Sequence, residues 1–511
     1  MLDKICELNE LLHQNSVIVT PNARLTKSLI ERIATLQETK ECWPTPSIQP
    51  FNNYLNHIWQ QYNSTNFDNE PRTILSDFED DYLWLKCINE KQQHTLHSPN
   101  LALNIKQAWG NCKDWMVEPL SSQFHLNPET LFFKNSVEKY LQKKKTKLQT
   151  KELLAEITQL LQQKKIPLPT SFIFALFDEF TPAQQNLIDT IAQYYPDTQL
   201  YLFNDPPPPD QKIYRVACVD EEKEIKVVTQ WLHQKSHNAP SKTIAVVAPQ
   251  LQNIRDKLER QLLSYFKPEE FNISLGKSLN TYELSHTCLA LLTIADKYIS
   301  QDTLHCLAYS SYIKDGHKEK LLRGKIFQKL NKLSEPFYSR KQILNGFENT
   351  SLKHALKNSI KLLSENKQQS FPHWLTTFEK VLEEMGFPGE HSLSSEEYQI
   401  HNRLMQLLKD LKKHIADPTP CELRSALEIL QWNLNKVIFQ PQALSSTKIH
   451  ILGWLEALGL PFDAIWIMGV DEHTLPQKLN PSPFIPFEIQ HSLQMPHASE
   501  QRENILTNKH I

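Results

Sequence analysis

Residues 449–476, IHILGWLEALGLPFDAIWIMGVDEHTLP, constrain the fold of this chain more than any other segment. Two short apolar runs, Ile449–Leu452 and Ala464–Val470, have the length and aliphatic content of buried strands. A loop that ends at Gly459-Leu460 separates them. The segment therefore predicts a strand–loop–strand unit inside a larger sheet.

Length and composition limit what the chain can be. At 511 residues it is too long for one hydrophobic core, and about two to four compact units are expected. The formal net charge of −3 excludes a uniformly basic, DNA-coating protein but leaves room for local basic patches. Only 10 glycines accompany 31 prolines, which argues against many phosphate-cradling loops, because such loops need glycine conformations.

Cysteine and histidine spacing argues against a metal site. None of the eight cysteines forms a C-x-x-C pair, and the 20 histidines show no paired metal spacing. The N-terminal segment has no apolar signal core, and no apolar run reaches the ~18 residues of a membrane span. We therefore predict a cytoplasmic protein with free thiols, no metal and no membrane partner.

Strand-like and helix-like segments alternate at both ends of the chain. Thr181 and Pro182 predict a helix start, with Thr as the N-cap and Pro at the first helical position. The regions 43–161 and 281–440 carry helical apolar spacing. Buried apolar runs predict further strands at Ser16–Thr20, Phe172–Phe177, Gln199–Phe203 and Thr243–Val247.

This alternation predicts an α/β fold of two modules with parallel sheets, each interrupted by a helical insertion. The last strands and helices of the second module are expected to be incomplete, because the chain stops soon after them. The predicted boundaries are 1–45 and 168–235 for the first module, 46–167 for its insertion, 236–278 and 445–511 for the second module, and 279–444 for its insertion.

The segment Pro21–Ser28 follows the first predicted strand, where a nucleotide-binding P-loop would stand. It keeps the Lys27-Ser28 pair of such a loop, which would bind ATP phosphates and Mg²⁺. Pro21 and Thr26 replace the two glycines; proline has no N–H to donate, and β-branched Thr disfavours positive φ. The segment is therefore either a degenerate P-loop or an ordinary strand–helix junction, and ATP with Mg²⁺ is a doubtful cofactor.

The segment Phe172–Glu179 has the form of a Walker B strand, an apolar run followed by two carboxylates. In an ATPase, Asp178 would hold Mg²⁺ through water and Glu179 would activate the attacking water. The alternative is a buried strand whose carboxylates lie beside a helix N-terminus and are stabilised by its dipole.

In chain order these segments resemble the motifs of superfamily 1 DNA helicases of the UvrD/RecB type. Residues 449–476 resemble the fifth motif, with Gly453, Gly459 and Leu460 in its nucleotide- and DNA-sensing loop, although the helicase Lys and Glu are absent. Residues 205–215, which contain four prolines, loosely resemble the third motif, and residues 243–249 resemble the fourth without its Arg. Arg502 is the candidate for the arginine finger of the sixth motif, or else an ordinary charged residue in the first turn of a helix.

The whole chain resembles the inactivated helicase–nuclease proteins related to AddB and RecC. The resemblance implies two RecA-like P-loop-type modules, a catalytically degenerate DNA-binding scaffold for DNA repair and recombination, and a helicase–nuclease partner subunit. Relatives usually continue with a RecB-like PD-(D/E)XK nuclease domain, and no such segment follows Glu503. We therefore expect a truncated or split member without its nuclease, which binds single-stranded DNA or duplex ends.

Basic clusters are the candidate DNA contacts, because Lys and Arg neutralise phosphates without regard to sequence. The alternative for each cluster is a solvated helix face. Two other functions stay open: a residual DNA-dependent ATPase or helicase, and a protein-interaction fragment without DNA activity. The candidate phosphate contacts are Lys143, Lys144, Lys145, Lys147, Lys318 and Arg323.

Overall fold

The computed structural model describes Leu8 and residues 15–36, 47–65, 72–89, 98–204, 212–332, 336–365, 367–440 and 447–510. The chain divides into two compact units, residues 1–275 with 444–511 and residues 276–443. It is an α/β protein whose two four-stranded sheets are parallel throughout, as the sequence predicts. No helix within these ranges is long and apolar enough to cross a membrane.

The first parallel sheet has the strand order β2-β1-β3-β4. Its strands are β1 (Ser16–Thr20), β2 (Ile48–Pro50), β3 (Ser171–Ala175) and β4 (Gln199–Phe203). The helices of this part of the chain are α1 (Ala23–Leu36), α2 (Phe51–Thr65), α3 (Asp77–Asn89), α4 (Ser98–Asp114), α5 (Pro128–Lys144), α6 (Leu153–Gln162) and α7 (Pro182–Tyr194).

Helices cover both faces of this sheet. Successive strand side chains point to opposite faces, so Ile18 joins one core and Val19 the other. Helix α1 covers the first face because Leu25, Leu29 and Ile33 recur every four residues and are buried. Helices α2, α6 and α7 cover the second face, where they pack on the phenylalanines of β3.

Local sequence signals are confirmed around this sheet. Strands β1 and β4 have the predicted bounds. Strand β3 ends at Ala175, two residues before the prediction, because Leu176 takes a left-handed backbone with φ 62°. Thr181 caps α7 in a capping box with Gln184, and Pro182 holds the first helical position.

The first helical insertion is predicted to span residues 46–167, but the structure assigns both ends of this range to the first sheet and its core. Strand β2 pairs in parallel with β1 as the edge of the sheet. Helices α2 and α6 belong to the core of the sheet. Helices α3, α4 and α5 pack on one another, and Trp84 of α3 stacks on Tyr140 of α5 at 3.9 Å between ring centroids. The apolar period of α2 and α6 could not tell a helix on a sheet from a helix in a bundle.

The remaining elements follow in chain order. The strands are β5 (Ile244–Ala248), β6 (Phe271–Ile273), β7 (Lys277–Ser278), β8 (Tyr298–Ser300), β9 (Phe337–Ser339), β10 (Gln368–Ser370), β11 (Pro420–Glu422), β12 (Ile438–Phe439), β13 (Ile449–Gly453) and β14 (Ala464–Ile467). The helices are α8 (Glu221–Asn238), α9 (Leu251–Leu262), α10 (Glu283–Leu292), α11 (Gln301–Tyr309), α12 (Lys320–Asn331), α13 (Arg340–Gly346), α14 (Leu352–Glu365), α15 (Phe371–Glu384), α16 (Ser395–His414), α17 (Leu423–Lys436), α18 (Trp454–Ala457), α19 (Phe487–Ser492) and α20 (Glu500–His510).

The second parallel sheet has the order β14-β5-β13-β6 and belongs to the first unit. Helices α8 and α9 cover one face, and the residues after β13 cover part of the other with Trp454 and Leu475. The predicted strand–loop–strand unit at 449–476 is confirmed as β13 and β14, both of which pair with β5.

The second unit, residues 276–443, is mainly helical. The sequence predicts no clear strands there, whereas the structure pairs β8 with β9, β10 with β11, and β7 with β12, all antiparallel. Each of these strands has only two or three residues, which is too short for a period-2 pattern to be read from sequence.

Candidate functional site at the junction of the two parallel sheets

The turn between β1 and α1 lies at the predicted P-loop. Only Pro21 and Asn22 separate the strand from the helix. Asn22 Oδ1 accepts a hydrogen bond from the Leu25 backbone N–H at 3.0 Å, which caps the helix. The hydroxyls of Thr20 and Thr26 lie 2.6 Å apart in a buried hydrogen bond. The turn therefore lacks the glycine-rich nest of N–H groups that cradles a phosphate.

Lys27 and Ser28, the predicted phosphate-binding pair, lie in the second turn of α1. The Lys27 side chain is 75% exposed, and its Nζ lies 3.8 Å from Glu31 Oε1, one helical turn away. Ser28 is half-buried. An exposed i,i+4 pair is worth only about 0.3–0.5 kcal/mol, so Lys27 is a surface residue of the helix rather than a fixed ligand.

Asp178 and Glu179, the Walker-B-like pair, lie beyond the carboxyl end of β3 and are exposed. The last described helix, α20, contacts both. Arg502 forms an ion pair with the Glu179 carboxylate, and Lys509 Nζ donates to the backbone carbonyl of Asp178. Side chains of α20 therefore already bind the two residues that follow the carboxyl end of β3.

Arg502, the predicted finger residue, is largely buried in the first turn of α20. Its side chain is 11% exposed, and Nη1 lies 3.5 Å from Glu503 Oε1. The Glu503 carboxylate is itself buried and accepts the His497 backbone N–H at 2.9 Å. The structure thus brings together Arg502 and Glu179, two residues selected from sequence 323 positions apart, as an ion pair.

The loop that resembles the fifth helicase motif lies against α1. Its Glu456 carboxylate accepts the Gly453 N–H at 3.0 Å and the Ser274 hydroxyl. Arg24 of α1 approaches the same carboxylate at 3.6 Å and donates to the Glu456 carbonyl at 3.4 Å. The loop is therefore tied to both sheets through a single glutamate.

Gly459 and Leu460 complete this contact. Gly459 has φ 72°, and a Cβ there would lie 2.9 Å from a methyl of Leu25. Leu460 packs in the core between α1 and the first sheet. It also packs beside Leu452 and Trp454 on the face of the second sheet opposite α8. Glycine at 459 is required both for the backbone conformation and for the close approach to α1.

Charge and burial also shift two pKa values in the second sheet, that of His450 in β13 and that of Asp463 at the amino end of β14. Burial lowers the pKa of His450 in β13 below its usual value, and the nearby positive charges of Arg24 and Lys27 lower it further. The Thr243 backbone N–H holds the pKa of Asp463, the residue before β14, below its ordinary value. His450 is therefore neutral at pH 7 and adds no positive charge for an anion.

The junction is a set of internal ion pairs rather than an open anion site. Arg24, Arg502 and Lys509 each contact a carboxylate or carbonyl of the chain. Among the described residues no group of three or more His, Cys, Asp or Glu side chains could hold a metal ion. The residues at this junction therefore do not fit Mg-ATP.

The predicted basic cluster at residues 143–147 contributes to the helical part of the first unit. Lys144 is buried and forms an ion pair with Glu152. Lys147 forms an ion pair with Glu79. Lys143 is half-buried, and Lys145 is exposed at the end of α5. The low exposure of Lys144 and its ion pair with Glu152 correct its assignment as a phosphate contact, because its charge is already neutralised inside the chain.

The predicted contacts Lys318 and Arg323 lie in the second unit. Lys318 Nζ lies 2.8 Å from Asp315 and 2.7 Å from Glu390. Arg323 is fully buried, and its Nη2 contacts Glu319 at 2.7 Å. The assignment of Arg323 as a phosphate contact is wrong for the same reason as that of Lys144.

The weaker motif matches have mixed outcomes. Asp205, Pro206–Pro209 and Gln211 lie outside the described residues. Ile213 and Tyr214 are 83% and 79% exposed and belong to no helix or strand. After β5, Gln250 precedes α9 where a helicase of this type has its arginine.

Sequence reasoning missed Ser274, Glu456 and Lys509, and gave no role to Arg24. Arg24 lies inside the P-loop-like segment and Glu456 inside the fifth-motif segment, so both were within reach of a motif search. Their contact spans 432 positions, however, and no local pattern reveals it.

Comparisons with known proteins were also made for this chain. No protein-family model matches it, and a search of curated proteins found no significant match.

Proposed function

We propose that this protein is a DNA-binding, catalytically degenerate, helicase-like scaffold of a DNA repair or recombination helicase–nuclease system. The observation that carries the proposal is the junction of the two sheets. Arg502, the candidate arginine finger, is bound by Glu179, and Arg24, which lies inside the P-loop-like segment, is bound by Glu456. A site filled by the chain's own ion pairs favours a scaffold over a motor.

In this proposal the two parallel sheets belong to two RecA-like modules. The support is their parallel order and the position of motif-like residues beyond the carboxyl ends of β1, β3 and β13, where open α/β sheets bind ligands. The loop 453–460 then acts as a fixed brace between the modules rather than as a sensor that moves with nucleotide state.

DNA is the proposed ligand because of the charge distribution. The chain has a net charge of −3, yet residues 314–367 contain thirteen Lys and Arg against five Asp and Glu. Such a local excess attracts a polyphosphate even when the whole protein is nearly neutral. A nuclease-bearing partner subunit is the second partner that the proposal expects.

The test is fluorescence anisotropy of the purified chain with single-stranded DNA and with duplex ends. Binding is measured at about 50 mM and about 200 mM salt, with and without Mg-ATP. We expect binding that weakens with salt and ignores Mg-ATP, and no ATP hydrolysis in a parallel assay. Absence of DNA binding at the lower salt contradicts the proposal and favours a protein-interaction subunit.

A residual ATPase is the second candidate; in it, Glu179 and Arg502 would have to give up their ion pair for water and nucleotide. ATP hydrolysis stimulated by single-stranded DNA would establish this function and overturn the scaffold. Lys27→Ala is the matched variant, because an ATPase of this type needs its phosphate-binding lysine. Unchanged nucleotide affinity in Lys27→Ala eliminates the ATPase.

A further inference from the structure

Two exposed aromatic side chains lie on the same face of the β8–β9 ribbon of the second unit. The ribbon pairs Tyr298 with Ser339 and Ser300 with Phe337, so Tyr298 and Phe337 are diagonal neighbours on one face. They are 58% and 56% exposed. Because more than half of the surface of each residue is exposed, packing within this unit does not account for these rings.

The opposite face of the same ribbon is fixed in the core. Ile299 and Tyr338, which pair with each other, are 1% and 0% exposed. The Tyr338 hydroxyl donates to Asn331 Oδ1 at 3.4 Å, and Gln301 Nε2 donates to the same oxygen at 3.0 Å. The two exposed rings are therefore presented by a rigid platform that is attached to the last turn of α12.

One lysine lies at this ribbon, and three more lie on or just after α12, the helix whose Asn331 contacts the ribbon. Lys297 Nζ lies 5.2 Å from the centroid of the Tyr298 ring. Lys325, Lys329 and Lys332 are exposed along α12 and just after it, and α12 contains no acidic residue. Within the part of the chain that the structure describes, none of these three lysines forms an ion pair, unlike the cations at the sheet junction.

We propose that the β8–β9 ribbon and the exposed face of α12 form a binding surface for single-stranded nucleic acid, on which Tyr298 and Phe337 stack with bases while the α12 lysines contact phosphates. The proposal rests on the proposed DNA-binding function and gives it a location. Exposed rings beside lysines match a strand whose bases are free to stack. A duplex offers this surface its phosphates but not its base faces, so the rings distinguish the two forms.

An acidic protein or an anionic membrane would also be attracted by the lysines. Neither needs two flat rings side by side, whereas base stacking does. The rings therefore favour nucleic acid, and the other two ligands become outcomes of the test.

The test uses the full chain and the double variant Tyr298→Ala/Phe337→Ala. Anisotropy is measured with oligo-dT and oligo-U of about 20 nucleotides and with blunt duplex DNA. We expect the double variant to bind oligo-dT about 10-fold or more weakly and duplex DNA within about twofold of wild type. Tyr398→Ala, which removes a ring 59% exposed elsewhere in this unit, is the matched control and leaves binding unchanged.

The lysines are tested with Lys325→Glu/Lys329→Glu against Lys409→Glu/Lys413→Glu, an equally charged pair with the same i,i+4 spacing on α16. We expect the α12 double variant to bind every nucleic acid more weakly and with a smaller salt dependence than wild type. The α16 double variant should bind as wild type does. Circular dichroism checks that each variant is folded.

The outcomes separate this surface from the general function. If wild type binds DNA and the aromatic variant binds oligo-dT equally well, the surface is overturned and the scaffold stands. If wild type binds oligo-U but no DNA, the DNA scaffold is overturned and the surface stands. Lysine-dependent binding of phosphatidylserine vesicles or heparin without any contribution from the rings also overturns the surface.

Discussion

The sheet junction of the first unit and the β8–β9/α12 surface of the second place the same kind of side chain in opposite environments. At the junction, Arg24 and Arg502 contact Glu456 and Glu179 and link segments that are hundreds of positions apart. On α12, lysines such as Lys325 face solvent without an ion-pair partner among the described residues. The difference teaches that a cation indicates a ligand site only when the chain has not already neutralised it.

The largest effect is expected at Arg323, which the sequence groups with the α12 lysines but the structure buries against Glu319. Arg323→Ala removes the cationic partner of Glu319, to which Ser351 still donates, and should destabilise the second unit by about 3–5 kcal/mol. Hydrogen exchange of α12 and its neighbours measures the loss.

Lys325→Ala, two positions away and exposed, is the control and should change stability by less than about 0.5 kcal/mol. Equal stability of the Arg323 and Lys325 variants would show that Arg323 is not a structural residue. The distinction between ion-paired and solvent-exposed cations would then have no effect on stability.

The next effect is expected at Arg502, whose loss leaves the buried Glu503 carboxylate less well paired. Arg502→Ala should destabilise the attachment of α20 by about 2 kcal/mol, seen as faster hydrogen exchange and proteolysis of residues 500–510.

The control is Arg424→Ala, which removes an arginine 89% exposed in an i,i+4 pair with Glu428. Such a pair contributes about 0.3–0.5 kcal/mol at most. If α20 is as protected in the Arg502 variant as in the control, the junction is not held by its ion pairs.

A smaller effect is expected at Gly459, which has a positive φ and lies against Leu25. Gly459→Ala adds backbone strain of about 1 kcal/mol and a methyl contact at the tight 2.9 Å distance. Gly469→Ala is a matched control, since Gly469 has φ 67° but nothing within 4 Å of a new Cβ.

Thermal denaturation of the two glycine variants should differ by about 1–2 kcal/mol, which isolates the contact of the loop with α1. Equal destabilisation by the two substitutions would mean that both act only through backbone strain. The contact of loop 453–460 with α1 would then contribute nothing to stability.

The smallest effect is expected with pH at His450, whose pKa is lowered by burial and by nearby cations. The folded state binds fewer protons there than the unfolded state, so stability is lost as pH falls through the ordinary histidine value of about 6.5. Between about pH 7.5 and about pH 5.5, wild type should lose more stability than His450→Gln, by less than about 1 kcal/mol.

His473→Gln, at a histidine 74% exposed, is the control and should follow wild type. A pH dependence that is the same in wild type and the His450 variant would mean that burial of this ring is not coupled to folding.

Much of the first sheet was predictable because its signals are local. The apolar runs of β1 and β4 and the Thr181-Pro182 helix start are each written in a few neighbouring residues, and all three are confirmed. Strand β2 was missed because its three residues, Ile48 to Pro50, acquire strand structure only by pairing with β1.

The candidate site divides in the same way. A motif search selected Glu179, Arg502, Gly459 and Leu460; the structure pairs Glu179 with Arg502 and places Gly459 and Leu460 against α1. It also selected Lys144 and Arg323 as phosphate contacts, which burial excludes. Basic composition cannot distinguish a lysine that faces water from one that neutralises an internal carboxylate.

The sequence by itself therefore determined the α/β class, the main strands and the lost glycines of the P-loop-like turn, since these depend on residue type and short-range order. The tertiary structure alone decided which cationic side chains form internal ion pairs and which face solvent. Arg24 meets Glu456 across 432 positions, while Tyr298 and Phe337 take diagonal positions on one face of a ribbon of three-residue strands. The physical reason is that an ion pair, or a surface shared by two side chains, depends on their distance in the folded structure. That distance cannot be read from their separation along the chain.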